Sequence, residues 1–172
     1  MDVLEVALAF AHALGWATYI GGAIAMEVLW RPAQAHIPAS QVNVVCQRMG
    51  RRYRWIALAA LGVIGASGAV GLLVAQPGTH PPVALTSSYG RTLLAVVAGW
   101  GVLVALVATM AVVAHPALHA RSAAGLDREQ RDAARLARRR GIRRMDLMLR
   151  CELVVALVVA LLGASLASGG IL

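Results

Sequence analysis

Several motifs that would assign a soluble chemistry are missing from this chain. There is no P-loop, no nucleophile elbow, no CxxC pair and no pair of carboxylates at hydrolase spacing, so nucleotide chemistry and soluble-type hydrolysis have no residues to run on. Lysine is absent, and all sixteen cations are arginine against eight acids. Charged residues make up only 14%, while hydrophobic residues reach 59%, too apolar for a soluble domain of 172 residues. The two cysteines, Cys46 and Cys151, lie far apart in the sequence. Both fall at expected cytoplasmic helix ends, where thiols stay reduced, so no disulfide is expected. Met1-Asp2-Val3-Leu4-Glu5 offers neither a basic n-region nor a cleavage site, so no cleaved leader is expected.

The apolar residues gather in four runs, over residues 3–29, 55–75, 89–114 and 148–167. Each reaches or exceeds the roughly 20 residues that a helix needs to cross hydrocarbon. The chain is therefore expected to be one all-α domain over residues 1–172, an integral membrane four-helix bundle in a cell membrane. Trp30, Tyr53, Trp55 and Tyr89 stand at span ends, where interfacial aromatics belong. Arginine is distributed unevenly among the connections. Five lie between Arg31 and Arg54, ten between His115 and Arg150, and none between Gln76 and Ser88. By the positive-inside rule the connections 31–54 and 115–147 are cytoplasmic, and both termini are outside. The charge explains itself as a topology signal, so nucleic acid is not an expected partner; membrane lipid is. Helices are expected to start near Ser40 as N-cap and over 126–145, where acids come early and arginines late.

A weak repeat relates the first and third spans at an offset of 84. Gly15-Trp16 answers Gly99-Trp100, Met26 answers Met110, and Pro32-Ala33 answers Pro116-Ala117. Gly65-Ala66-Ser67 is echoed by Gly163-Ala164-Ser165. A parallel 2+2 repeat would follow, with sites at its interface and Met26 and Met110 at equal depth.

The residue that draws attention is His12, about nine residues into the first span. An ionisable side chain at that depth is costly, and neutral imidazole ligates haem iron, copper or zinc. The other reading is a histidine satisfied by a neighbouring helix. Trp16, Tyr19, Ala23, Met26 and Trp30 follow on one face. The glycines of spans one and two, Gly15, Gly21, Gly22, Gly62, Gly65, Gly68 and Gly71, suit either close helix packing or a smooth wall for a flat macrocycle. Met26 and Met110 are soft thioethers that suit Cu(I) or axial haem ligation, or else fill gaps. His36, His115 and His119 near the cytoplasmic face, with His80 outside, extend a possible His/Met ladder. Arg91 either pairs with a ligand carboxylate or snorkels to headgroups. Glu27 and Glu152, close in sequence to Arg31, Arg51, Arg52 and Arg150, are expected to be neutralised by them.

His12-Ala13-Leu14-Gly15-Trp16, Gly21-Gly22, Trp30-Arg31-Pro32, the stretch from Arg48 to Trp55, and Arg150-Cys151-Glu152 together resemble two related groups. These are the CopD-type copper-resistance membrane proteins and the HemJ-type protoporphyrinogen oxidases. The resemblance implies a four-helix bundle and haem b ligated by His12, with Trp16, Tyr19, Arg51, Arg91 and Glu152 around the cofactor. HemJ-type proteins carry a lysine where this chain has Arg91. The leading expectation is a haem b-binding redox protein, an oxidoreductase of porphyrinogen or quinol with a small-molecule or electron-transfer partner. One alternative is a copper-handling protein using His12, Met26, Met110 and His80. The other is a non-catalytic membrane subunit of a larger complex, or of a homo-oligomer.

Overall fold

The backbone has no water to bond to in hydrocarbon, so a spanning segment must satisfy its own amides, and the helix is how a single segment does so. The computed structural model, which describes residues 3–34, 36–37, 39–74, 86–118 and 127–172, is helical almost throughout and shows no strand among the described residues. Helix α1 runs over Val3–Ile24 and continues through a π-helical segment, Ala25–Trp30, and a last turn, Arg31–Gln34. Helices α2, α3 and α4 are Ala39–Val74, Ser88–Leu118 and Arg128–Ser165. Four stretches are long and apolar enough to cross a membrane: Val3–Gln34, Arg48–Val74, Ser88–Met110 and Leu147–Ser168.

Helices α2 and α4, at 36 and 38 residues, each measure about 55 Å, well beyond a hydrocarbon core. Their N-terminal parts carry the arginines. The helices expected near Ser40 and over 126–145 are thus not separate elements: each runs unbroken into the span that follows. Ser40 lies within α2, which begins at Ala39, and is not its cap. The arginine-dense stretches remain good helix formers after the apolar pattern stops.

The helices form an up-and-down bundle. Helix α1 packs most extensively on α2, and α3 on α4; α2–α3 and α1–α4 contacts close the ring. The shared core holds Tyr19, Ala57, Ala60, Leu61, Ile64, Leu103, Val107, Ala156 and Val159. The outward faces carry Phe10, Leu14, Trp55, Leu73 and Leu161, all exposed. An apolar exterior around a small-residue core is the arrangement that lipid solvation permits.

Each hairpin closes on a glycine. A methyl added at Gly15 would lie 2.8 Å from Ile64 Cγ1 of α2, and one added at Gly99 would collide with Val159 of α4. Gly15 and Gly99 are related by the offset of 84, so the two hairpins use the same position for close approach. The neighbouring tryptophans diverge. Trp16 donates to His12 within its own helix, whereas Trp100 donates to the Leu61 carbonyl of α2 at 3.0 Å. At the arginine-poor end, Gly169 and Gly170 turn the chain with φ of 95° and 85°. The Ile171 and Leu172 amides then donate to the hydroxyl of buried Thr92 in α3.

Candidate functional site

Two polar layers occupy the interior of the bundle, and both involve α1. The first is built on His12. Its Nδ1 lies 3.1 Å from the Ile64 carbonyl and 3.0 Å from Ser67 Oγ. Its Nε2 lies 3.2 Å from the indole nitrogen of Trp16. An indole N–H only donates, so Nε2 accepts and the ring proton is on Nδ1. Ser67 in turn donates to the Val63 carbonyl at 2.6 Å, which leaves its lone pairs for His12. The ring is wedged against α2 at Gly68, where an added methyl would meet it at 3.4 Å. Both ring nitrogens of His12 have partners, and the tautomer leaves the accepting lone pair on Nε2.

The second layer is built on Glu152 of α4, which is 0% exposed. Tyr19 of α1, also 0% exposed, donates its hydroxyl to Glu152 Oε1 at 2.6 Å. Glu152 Oε2 has no partner, and neither has the buried hydroxyl of Tyr53 from α2. Tyr53 packs its ring edge against Gly22 of α1, where an added methyl would meet it at 3.1 Å. The expectation that arginines neutralise Glu152 is corrected here. Glu27 takes that role instead, bonded to Arg31 at 2.6 Å and to Arg150 at 3.1 Å.

The other candidate residues do not converge on one site. Met26 lies in the π-helical segment, 14 residues beyond His12 on a continuous helix, about 20 Å along its axis. His12 and Met26 therefore cannot hold the same ion, and the expected His/Met set separates into two levels. Met110 is buried, and its carbonyl accepts from Arg54 at 3.1 Å. Arg51 and Arg91 are exposed, as solvent- or headgroup-facing arginines are. His36 is exposed, with its ring nitrogen 3.3 Å from the Pro32 carbonyl. Cys151 is exposed. His80 and His119 lie outside the described residues, as do the side chains of His115 and Cys46. Among the described residues no group of three or more His, Cys, Asp or Glu could hold a metal ion. Ser67 and Tyr53, which complete the two layers, were not picked out as site residues by the sequence reading. Ser67 figured only in the repeat, and Tyr53 only as an interfacial aromatic.

The glycines divide into two sets. Ile64 fills the space at Gly15, and Trp100 lies 2.6 Å from a methyl built at Gly65, so these two bring helices together, as small residues do in membrane bundles generally. Gly21, Gly62 and Gly71 have nothing within 4 Å.

Fold and layers thus define a polytopic membrane protein with polar groups buried between its helices. The family model described as copper resistance protein D (CopD) matches residues 47–166, most of α2 and all of α3 and α4. The chain belongs to that copper resistance protein D family of multi-pass membrane proteins. The matched stretch contains Tyr53, Ser67, Met110 and Glu152, whereas His12, Trp16, Tyr19 and Met26 precede it. No curated protein and no solved structure matches the chain.

Proposed function

We propose that this protein handles copper inside the membrane, with His12 as the imidazole that receives the ion. One observation supports the reading most. In a member of a copper-resistance family, an inward-facing histidine has its Nδ1 held by α2 and its Nε2 lone pair engaged by the Trp16 indole, which together set the tautomer. The Nδ1–H bonds to Ile64 and Ser67 orient the ring, as outer partners orient metal-bound histidines generally. Rotation of Trp16 alone would free the lone pair. Copper is the cargo, and Met26 and Met110 are soft thioethers further toward the arginine-rich end, each suited to Cu(I).

The test is Cu(I) competition against bicinchoninate on the full chain in detergent, with an absorption spectrum of the same sample. His12→Ala should weaken binding at least tenfold, while Trp16→Phe, which uncovers Nε2, should strengthen it. Unchanged affinity in His12→Ala would remove His12 from the copper reading, and a Soret band in the purified protein would return the reading to haem b.

A further inference from the structure

We propose that Glu152, with Tyr19 and Tyr53, forms a proton-binding site that exchanges with the arginine-rich side of the membrane. The geometry carries the argument. Glu152 is wholly buried between helices and receives one hydrogen bond, from Tyr19. Its second oxygen and the Tyr53 hydroxyl are buried without partners. Buried polar atoms are nearly always satisfied, so two orphans in one layer mark a place where something binds and leaves. The surroundings select the ligand. Tyr19 comes from α1 and Tyr53 from α2, and among the described residues α3 packs Leu103, Val107, Val96, Val104 and Trp100 on this core, none of them a carboxylate or a cation. The nearby cations are engaged elsewhere, Arg31 and Arg150 on Glu27 and Arg54 on the Gly50 and Met110 carbonyls. A carboxyl and two phenols are hard oxygen groups, a poor set for Cu(I) and a good one for a proton. Tyr53 meets α1 at Gly22, three residues from Tyr19, which holds the other carboxyl oxygen.

The direction of exchange follows from position. Glu152 lies five residues from the arginine-rich end of the span Leu147–Ser168, about 8 Å, against about 24 Å to the other end. Tyr53 follows exposed Arg52 and precedes half-buried Arg54; it is itself half-buried, with its hydroxyl buried. On uptake an O–H bond forms at Oε2 and the carboxylate becomes a carboxylic acid. On release that bond breaks, the electron pair stays on Oε2, and the proton passes to water by way of the Tyr53 hydroxyl. If copper crosses the bundle, release of this proton offsets the charge of the incoming cation; that purpose rests on the copper reading, but the site itself does not.

Infrared difference spectroscopy on the full, copper-free chain in lipid nanodiscs tests it. The spectrum is followed from about pH 4 to about pH 9, a range that covers free and buried carboxyl groups. A carboxylic-acid C=O band should titrate in the wild type, shift in D2O and vanish in Glu152→Gln. Tyr53→Phe keeps the ring on Gly22 and removes only the orphan hydroxyl, so it should retain the band at a shifted frequency and slow its exchange. A titrating band that survives in Glu152→Gln, or one insensitive to Tyr53→Phe, overturns the proposal. Copper affinity measured on the same variants stands or falls separately.

Discussion

The His12 layer and the Glu152 layer lie two turns apart on α1, through His12 and Tyr19, about 10 Å along the helix. In the first, imidazole, indole and hydroxyl satisfy one another and the backbone of α2. In the second, a carboxyl oxygen and a phenol are left over. The two layers invert what their composition suggests. The histidine, conspicuous in an apolar span, is fully bonded and must be opened before it can act. The glutamate, placed beside arginines in the sequence, is the group with unmet bonding. Whether a buried polar residue is at rest or awaiting a ligand is therefore decided by its partners, not by its depth.

Variants that separate the layers make the contrast measurable, each by unfolding in mixed micelles followed by tryptophan fluorescence. Gly65→Leu should have the largest effect, about 3 kcal/mol or loss of the fold, because it drives a side chain into Trp100 beneath the His12 layer. Tyr19→Phe removes the one donor that Glu152 has and should cost about 1–3 kcal/mol. Ser67→Ala should cost less, about 0.6 kcal/mol, since His12 Nδ1 keeps the Ile64 carbonyl. A larger loss in Ser67→Ala than in Tyr19→Phe would break the comparison. Gly62→Ala meets nothing within 4 Å and should lie within about 0.5 kcal/mol of the wild type.

The four helices are legible in the sequence because crossing hydrocarbon demands about 20 apolar residues, and the chain supplies four such runs. The full lengths of α2 and α4 are not, since the unbroken apolar runs begin at Trp55 and Met148, while mixed polar and arginine-rich sequence forms the helix before them. The glycines were open to two readings, and the positions of Ile64 and Trp100 decide for packing at Gly15 and Gly65. For Glu152 the sequence did hold a signal. Arg150 and Glu152 are two residues apart and so face different sides of a helix, whereas Glu27 and Arg31, four apart, face the same side. Spacing alone separates the paired acid from the buried one. That Tyr53 joins the buried one depends on contacts between distant helices, which no local pattern carries. His12 was legible as a polar residue inside the first span, but the indole on its Nε2 was visible only as the i,i+4 spacing of Trp16.

The central claim, that copper meets this bundle at the His12 imidazole, is tested most directly by X-ray absorption at the copper edge of the full chain loaded with one equivalent of Cu(I). The account predicts an imidazole nitrogen in the first shell that disappears in His12→Ala and persists when Met26 and Met110 are both replaced by Leu. A first shell of sulfur alone in the wild type, unchanged in His12→Ala, would contradict it.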